Sequence, residues 1–194
     1  MINEACILAG GKSSRMGEDK GLKLLHGKQM IRYVIESLIP YFPTIKISAN
    51  NPKYKVFGYE LLADIIPEKG PMGGIYTALK NSSCNDIFII SCDMPFISVS
   101  SLDYMLQQEN KSATVAVCNE KIQPLFGIYG KNLIPLLEAK IGRNQLGMTK
   151  FIQEINANLV EINNEDEFLN MNTLEDVKNY ENPNFWKADR YIRS

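Results

Sequence analysis

The sequence predicts an α/β fold with a mostly parallel central sheet, and three observations predict it. Short apolar runs alternate with segments of helical periodicity, the pattern of repeated strand–helix crossovers. One run, Ile87-Phe88-Ile89-Ile90, is apolar at every position, as a strand covered on both faces requires. Polar clusters follow directly after such runs. Right-handed crossovers put those loops along one edge of the sheet, beyond the carboxyl ends of its strands, where ligands of open α/β sheets bind. At 194 residues the chain favours one domain. That domain is expected over 1–180, followed by a tail at 181–194 that lacks apolar periodicity apart from Phe185, Trp186, Tyr191 and Ile192.

Each element has its own signal. Ala5-Cys6-Ile7-Leu8 reads as the first strand, and a glycine-rich loop follows it. Met30, Ile31, Val34, Ile35, Leu38 and Ile39 recur at three-to-four spacing and predict a helix ended by Pro40 and Pro43. Ile45 to Ala49 and Leu61 to Ala63 read as strands. Gly73-Gly74 are expected to precede a short helix carrying Ile75, Ala78 and Leu79. Ile87 to Ile90 is the buried strand, and Leu102, Met105 and Leu106 predict a helix after it. Ala113 to Val117, rich in β-branched residues, and Leu125 to Tyr129 read as further strands. Leu133, Leu136 and Leu137 predict a helix that Pro135 breaks or kinks early, and Phe151, Ile152 and Ile155 predict one more.

Composition narrows the function classes. Lys and Arg are scattered and the net charge is -1, so no nucleic-acid footprint is present. No run reaches the roughly 18 apolar residues of a membrane span. Met1-Ile2-Asn3-Glu4 has no basic and apolar leader, so a cytoplasmic protein is expected. The four cysteines form no C-x-x-C pair and read as small hydrophobes in a reducing compartment. His26 is the only histidine and sits in a Leu-Leu-His-Gly-Lys turn. Ser-His-Asp and Cys-His chemistry would have to run through it, and no Gly-x-Ser-x-Gly elbow accompanies it, so a surface turn residue is expected.

Leu8-Ala9-Gly10-Gly11-Lys12-Ser13-Ser14-Arg15-Met16-Gly17-Glu18-Asp19-Lys20-Gly21 carries the strongest chemical signal. Gly10 and Gly11 free the backbone for a turn whose N–H groups approach a phosphate. Lys12, Arg15 and Lys20 supply cations for a triphosphate and a leaving pyrophosphate. The loop is neither a Walker A motif nor a dinucleotide fingerprint. Ser91-Cys92-Asp93-Met94-Pro95-Phe96 is the second signal. Asp93 lies just past the buried strand, where a carboxylate suits Mg²⁺, a hard ion held by one or two carboxylates plus substrate phosphates. A local turn bond is the competing role for Asp93. Asn50 and Asp64 each end a predicted strand and would line the same edge, as base-reading groups or as turn and cap residues.

The glycine-rich segment resembles the signature of the molybdenum cofactor guanylyltransferase family: Leu-Ala-Gly-Gly, a spacer, Arg-Met-Gly, then Asp-Lys. The resemblance runs from about Ala5 to Tyr180. It implies a Rossmann-like three-layer nucleotidyltransferase fold. It also implies transfer of GMP from GTP to molybdenum-molybdopterin with release of pyrophosphate, Mg²⁺ as cofactor, and contact with molybdoenzyme-maturation proteins. Carried onto matching positions, it implies nucleotide contacts at Leu8, Ala9, Gly10, Gly11, Lys20, Asn50, Asp64 and Asp93. Arg15, Lys20 and Asp93 become the catalytic set, with Asp93 on the metal. Asp64 would accept the N1–H and exocyclic amine of guanine. Gly70-Pro71-Met72-Gly73-Gly74 resembles the family's loop before a helix, and an ordinary helix start reads equally well. Gln123-Pro124 and Asn170-Met171-Asn172-Thr173 resemble its acceptor motifs, so Gln123, Asn170 and Asn172 are expected at the pterin, with a plain helix start as the alternative at 172–173. Gly10 in place of alanine favours guanine over cytosine. Three rivals stand: a relative using CTP or a sugar phosphate, a non-catalytic GTP-binding module that delivers the cofactor, and a phosphate-binding sheet protein with no nucleotide.

Overall fold

The computed structural model describes residues 2–10, 19–109 and 112–169. The first strand, β1 (Glu4–Leu8), is buried throughout. A two-stranded ribbon of β2 (Leu24–Leu25) and β3 (Lys28–Gln29) turns through His26 and Gly27, both at positive φ (49° and 76°), the backbone a tight two-residue hairpin demands. Helix α1 (Met30–Leu38) buries Met30, Ile31, Val34, Ile35 and Leu38, the stripe its spacing predicts, and strand β4 (Thr44–Ser48) follows. After β5 (Glu60–Leu62) come α2 (Gly70–Lys80), β6 (Asp86–Ser91), α3 (Val99–Leu106), β7 (Ala113–Cys118) and β8 (Lys121–Gly130). Helices α4 (Ile134–Gly142) and α5 (Met148–Glu154) and strand β9 (Asn158–Glu161) complete the described elements.

The main sheet has seven strands in the order β5-β4-β1-β6-β8-β7-β9. Only β8 runs against its neighbours, so the sheet is mostly parallel. Alternate residues of each strand face opposite layers. Ala5, Ile7, Phe88 and Ile90 join α1 and α3 on one side. Cys6, Leu8, Ile87 and Ile89 join α2, α4 and α5 on the other. Two covered faces are the reason β1 and β6 are apolar without alternation. Phe88 holds the first layer together, with its ring 5.4 Å from Phe42 and 5.2 Å from Phe126.

Several elements differ from expectation. Gly73 and Gly74 lie inside α2, not before it, and Pro71 occupies the helix's first turn. A Cβ on Gly74 would stand 3.3 Å from Leu8 Cδ2, so the glycine lets the helix rest against β1. Pro135 likewise sits in the first turn of α4, where its missing N–H costs nothing, and neither breaks nor kinks it. Strand β8 starts before Leu125 and contains Pro124. The β7–β8 register jumps there, from Val115↔Gly127 to Ala116↔Gln123, and this bulge is what admits a proline to an interior strand. Strand β9 has no counterpart in the sequence reading, because Asn158–Glu161 buries only Val160.

Candidate active site

The site is built where the strand order reverses. From β1 the chain crosses to β4 on one side, and β6 lies on the other. Such a switch point splays the two loops apart and opens a crevice. The ends of the strands are tied together: Ala9 N donates to Ser48 O at 2.9 Å, Ala49 N to Leu62 O at 3.0 Å, and Cys92 N to Leu8 O at 3.0 Å. Leu8, Ala9 and Gly10 therefore share one edge with Asn50, Asp64 and Asp93. Gly10 is exposed at the rim, and a Cβ there would come no closer than 3.9 Å to Ser48 O. Gly11 and Arg15 lie outside the described residues, as does Lys12.

The chain returns to this edge at Asp19, which caps the 3-10 turn Lys20–Leu22. Lys20 Nζ stands 3.4 Å from Asp93 Oδ2, with the lysine half-buried and the aspartate buried. Ser91 donates its hydroxyl to Asp93 Oδ1 at 2.5 Å. The carboxylate is thus held on both oxygens at the mouth of the sheet. Among the described residues no three His, Cys, Asp or Glu side chains converge as a self-sufficient metal cage. One carboxylate of hard oxygen is still the donor set Mg²⁺ accepts when phosphates supply the remainder.

Asn50 and Asp64 meet directly. Asn50 Nδ2 donates to Asp64 Oδ2 and Asp64 N donates to Asn50 Oδ1, both at 2.9 Å. The pair ties the carboxylate to Asn50 through Oδ2. Gln123, half-buried near the start of β8, lies on the strand next to β6. Asn170 and Asn172 lie outside the described residues. The Gly70-Pro71 segment is the opening turn of α2, with Gly70 at φ 57°.

Three residues given no separate role in the sequence reading brace this edge. Asp19 accepts hydrogen bonds from Tyr54 Oη and from Asn51 Nδ2, the latter at 3.3 Å. Asn51 also caps the 3-10 helix Pro52–Phe57 through Lys53 N at 3.0 Å. Asn51-Pro52 is a helix-start signal legible in the sequence. The long-range contact to Asp19 is not. Tyr54 is fully buried, and burial, with Cys92 beside it, pushes its phenol well above the usual range, so it remains a donor. Gly21 passes beneath it: a Cβ there would stand 2.6 Å from Tyr54 Oη and 3.1 Å from Cys92 Sγ.

Fold and edge together define the class: a three-layer α/β protein whose crevice, at a topological switch point, gathers Gly10, a lysine and a buried carboxylate. The family model for the MobA-like NTP transferase domain matches residues 5–159, and the chain belongs to that family. The molybdenum cofactor guanylyltransferase of Vibrio parahaemolyticus is 34% identical over 180 residues, spanning 90% of this chain and 92% of that protein. A solved structure from Aquifex aeolicus superposes with a TM-score of 0.78 at 32% identity, covering 89% of this chain and 94% of that one. Molybdopterin-guanine dinucleotide biosynthesis protein A from Archaeoglobus fulgidus shares the fold, with a TM-score of 0.73, 22% identity and 92% and 96% coverage.

Proposed function

We propose that this chain transfers GMP from GTP to the molybdenum-molybdopterin cofactor, forming the guanine dinucleotide and releasing pyrophosphate. The observation that carries the reading is the common sheet edge shared by Gly10, Lys20, Asn50, Asp64 and Asp93 in a chain of the MobA-like NTP transferase family. A phosphate oxygen of the cofactor attacks the α-phosphorus of GTP. The bond from that phosphorus to the oxygen bridging the β-phosphate breaks, and its electron pair leaves with pyrophosphate. Backbone N–H groups at Gly10 and Gly11 cradle the phosphates, and Leu8 and Ala9, tied to Cys92 and Ser48, form the floor beneath them. Lys20 and Arg15 neutralise the departing charge. Asp93 would hold Mg²⁺, which when bound screens the triphosphate oxygens and lowers the cost of bringing a second phosphate close. Asp64, steadied by Asn50, accepts from the N1–H and 2-amino group of guanine, a donor pair that adenine lacks. Gln123, Asn170 and Asn172 are assigned to binding the pterin. A phosphate nucleophile needs no general base at neutral pH.

The test is pyrophosphate release with each nucleoside triphosphate, with and without the cofactor. Release is expected only with GTP and cofactor together. In Asp93→Ala it should fall by about 10²-fold or more, the size of losing one preorganised electrostatic group. Equal release with CTP overturns the base assignment. GTP binding with no release at all returns the cofactor-delivery reading.

A further inference from the structure

The groups at the two ends of the proposed nucleotide site are joined by a continuous path of side-chain contacts and peptide bonds. Asn50, paired with Asp64, is followed directly by Asn51. Asn51 donates to Asp19, which also takes the hydroxyl of buried Tyr54. Asp19 precedes Lys20, and Lys20 meets Asp93. Gly21 is wedged between Tyr54 and Cys92, the residue before Asp93, so the turn has no room to slide past either. Asn51 is spoken for at both ends of its amide, by Lys53 N and by Asp19. Nothing in the packing of the sheet requires this chain of contacts, since β4, β1 and β6 are already bonded strand to strand.

We infer that Asp19, Asn51 and Tyr54 are positioning residues, a strut that sets Lys20 against the phosphates when the Asn50–Asp64 pair holds its base. The inference rests on the function proposed above. A base that seats correctly fixes the Asn50–Asn51 peptide. Through Asp19 it also fixes the start of the Lys20 turn. Selection of the nucleotide is thereby expressed in the rate of transfer as well as in affinity. A displacement of about 1 Å at a reacting group costs up to about 10²-fold in rate, so a strut that transmits less than that still acts on turnover.

The test is a double-variant cycle read by pyrophosphate release from GTP with cofactor. Tyr54→Phe removes one hydroxyl and keeps the ring, and Asn51→Ala removes the second bond to Asp19. Each is expected to lower kcat about 10-fold while the dissociation constant for Mg·GTP, measured by equilibrium binding, moves less than about 3-fold. Combined with Asp64→Asn, either variant should add little to the kcat loss of Asp64→Asn alone, because one path is being cut twice. Losses that multiply overturn the strut, as does a loss confined to affinity. If Tyr54→Phe unfolds, Asn51→Ala alone, with melting checked, decides the outcome by the same criteria. A wild-type protein that turns over with a multiplicative cycle removes the strut and leaves the proposed function standing. A wild-type protein with no GTP turnover removes both.

Discussion

Asp93 stands against a lysine in the structure, yet the proposed reaction gives it a cation to hold. A buried carboxylate without a partner is costly, and Lys20 and Ser91 relieve that cost. The same lysine is then within reach of the phosphates that arrive with the nucleotide. Beside it, Cys92 shows how far burial reaches: its thiol lies well above the ordinary range, and Cys6 is pushed up to about 12. Raised values mean thiols, not thiolates, at neutral pH, so these side chains are inert packing. At pH 8 a thiol reagent such as DTNB should leave Cys6 and Cys92 unmodified in the native protein and reach the half-buried Cys84 first. Early labelling of Cys92 would show that the Gly21 slot opens. Charge placed deeper in the chain carries more weight. Lys46 lies 3.5 Å from the buried Glu4, 3.4 Å from the exposed Glu60, and 2.7 Å from Asn81 O. Lys46→Met strands Glu4 and should cost about 3–5 kcal/mol in urea unfolding. Glu60→Gln, which removes only an exposed partner, should cost about 1 kcal/mol or less.

Elements were legible where one physical signal dominated. The runs in β1 and β6 are apolar because both faces are covered, and the stripe of α1 is what a helix on a sheet requires. That Asn50 and Asp64 share one sheet edge was readable because both follow apolar runs that form parallel strands. Glycine and proline misled where a close contact, not a turn, explains them: Gly74 serves helix–sheet approach, and Pro124 sits in a bulge. Such contacts depend on what lies opposite in space, which no local pattern records. The Asp19–Tyr54 brace escaped for the same reason, being 35 residues apart. Gly127 tests this kind of contact at the level of the β7–β8 pair. Its Cβ would meet the Thr114 carbonyl oxygen at 2.5 Å. Backbone cannot step aside as a side chain can, so Gly127→Ala should destabilise by about 1–3 kcal/mol, measured by thermal or urea unfolding. An unchanged midpoint would mean the strands separate more easily than their register implies.

For the whole molecule, nucleotide binding couples to stability, because the edge that the proposed ligand bridges is assembled from β1, β4, β5 and β6 only in the folded state. At about 100 times its dissociation constant, Mg·GTP should add about 2.7 kcal/mol. In a chain of this size that is a rise in Tm of about 5–10 °C. Mg·CTP at the same concentration should give little or none, and an equal rise with both would remove base discrimination from the Asn50–Asp64 pair. Among the described residues no helix is long and apolar enough to cross a membrane.

The reversed direction of β8 divides the sheet into two workshops. On the β5-β4-β1-β6 side every loop at the ligand edge feeds a crossover, so altering one shifts a helix as well. On the other side β7 and β8 are joined by a bare hairpin whose tip, Asn119-Glu120, sits at positive φ and hangs from the same rim. Asn119 at that tip donates to Glu165, which ties the hairpin to the short 3-10 helix Glu165–Phe168. Under the function proposed above, a change at this hairpin would alter what meets the second substrate and leave the Lys20–Asp93 contact in place.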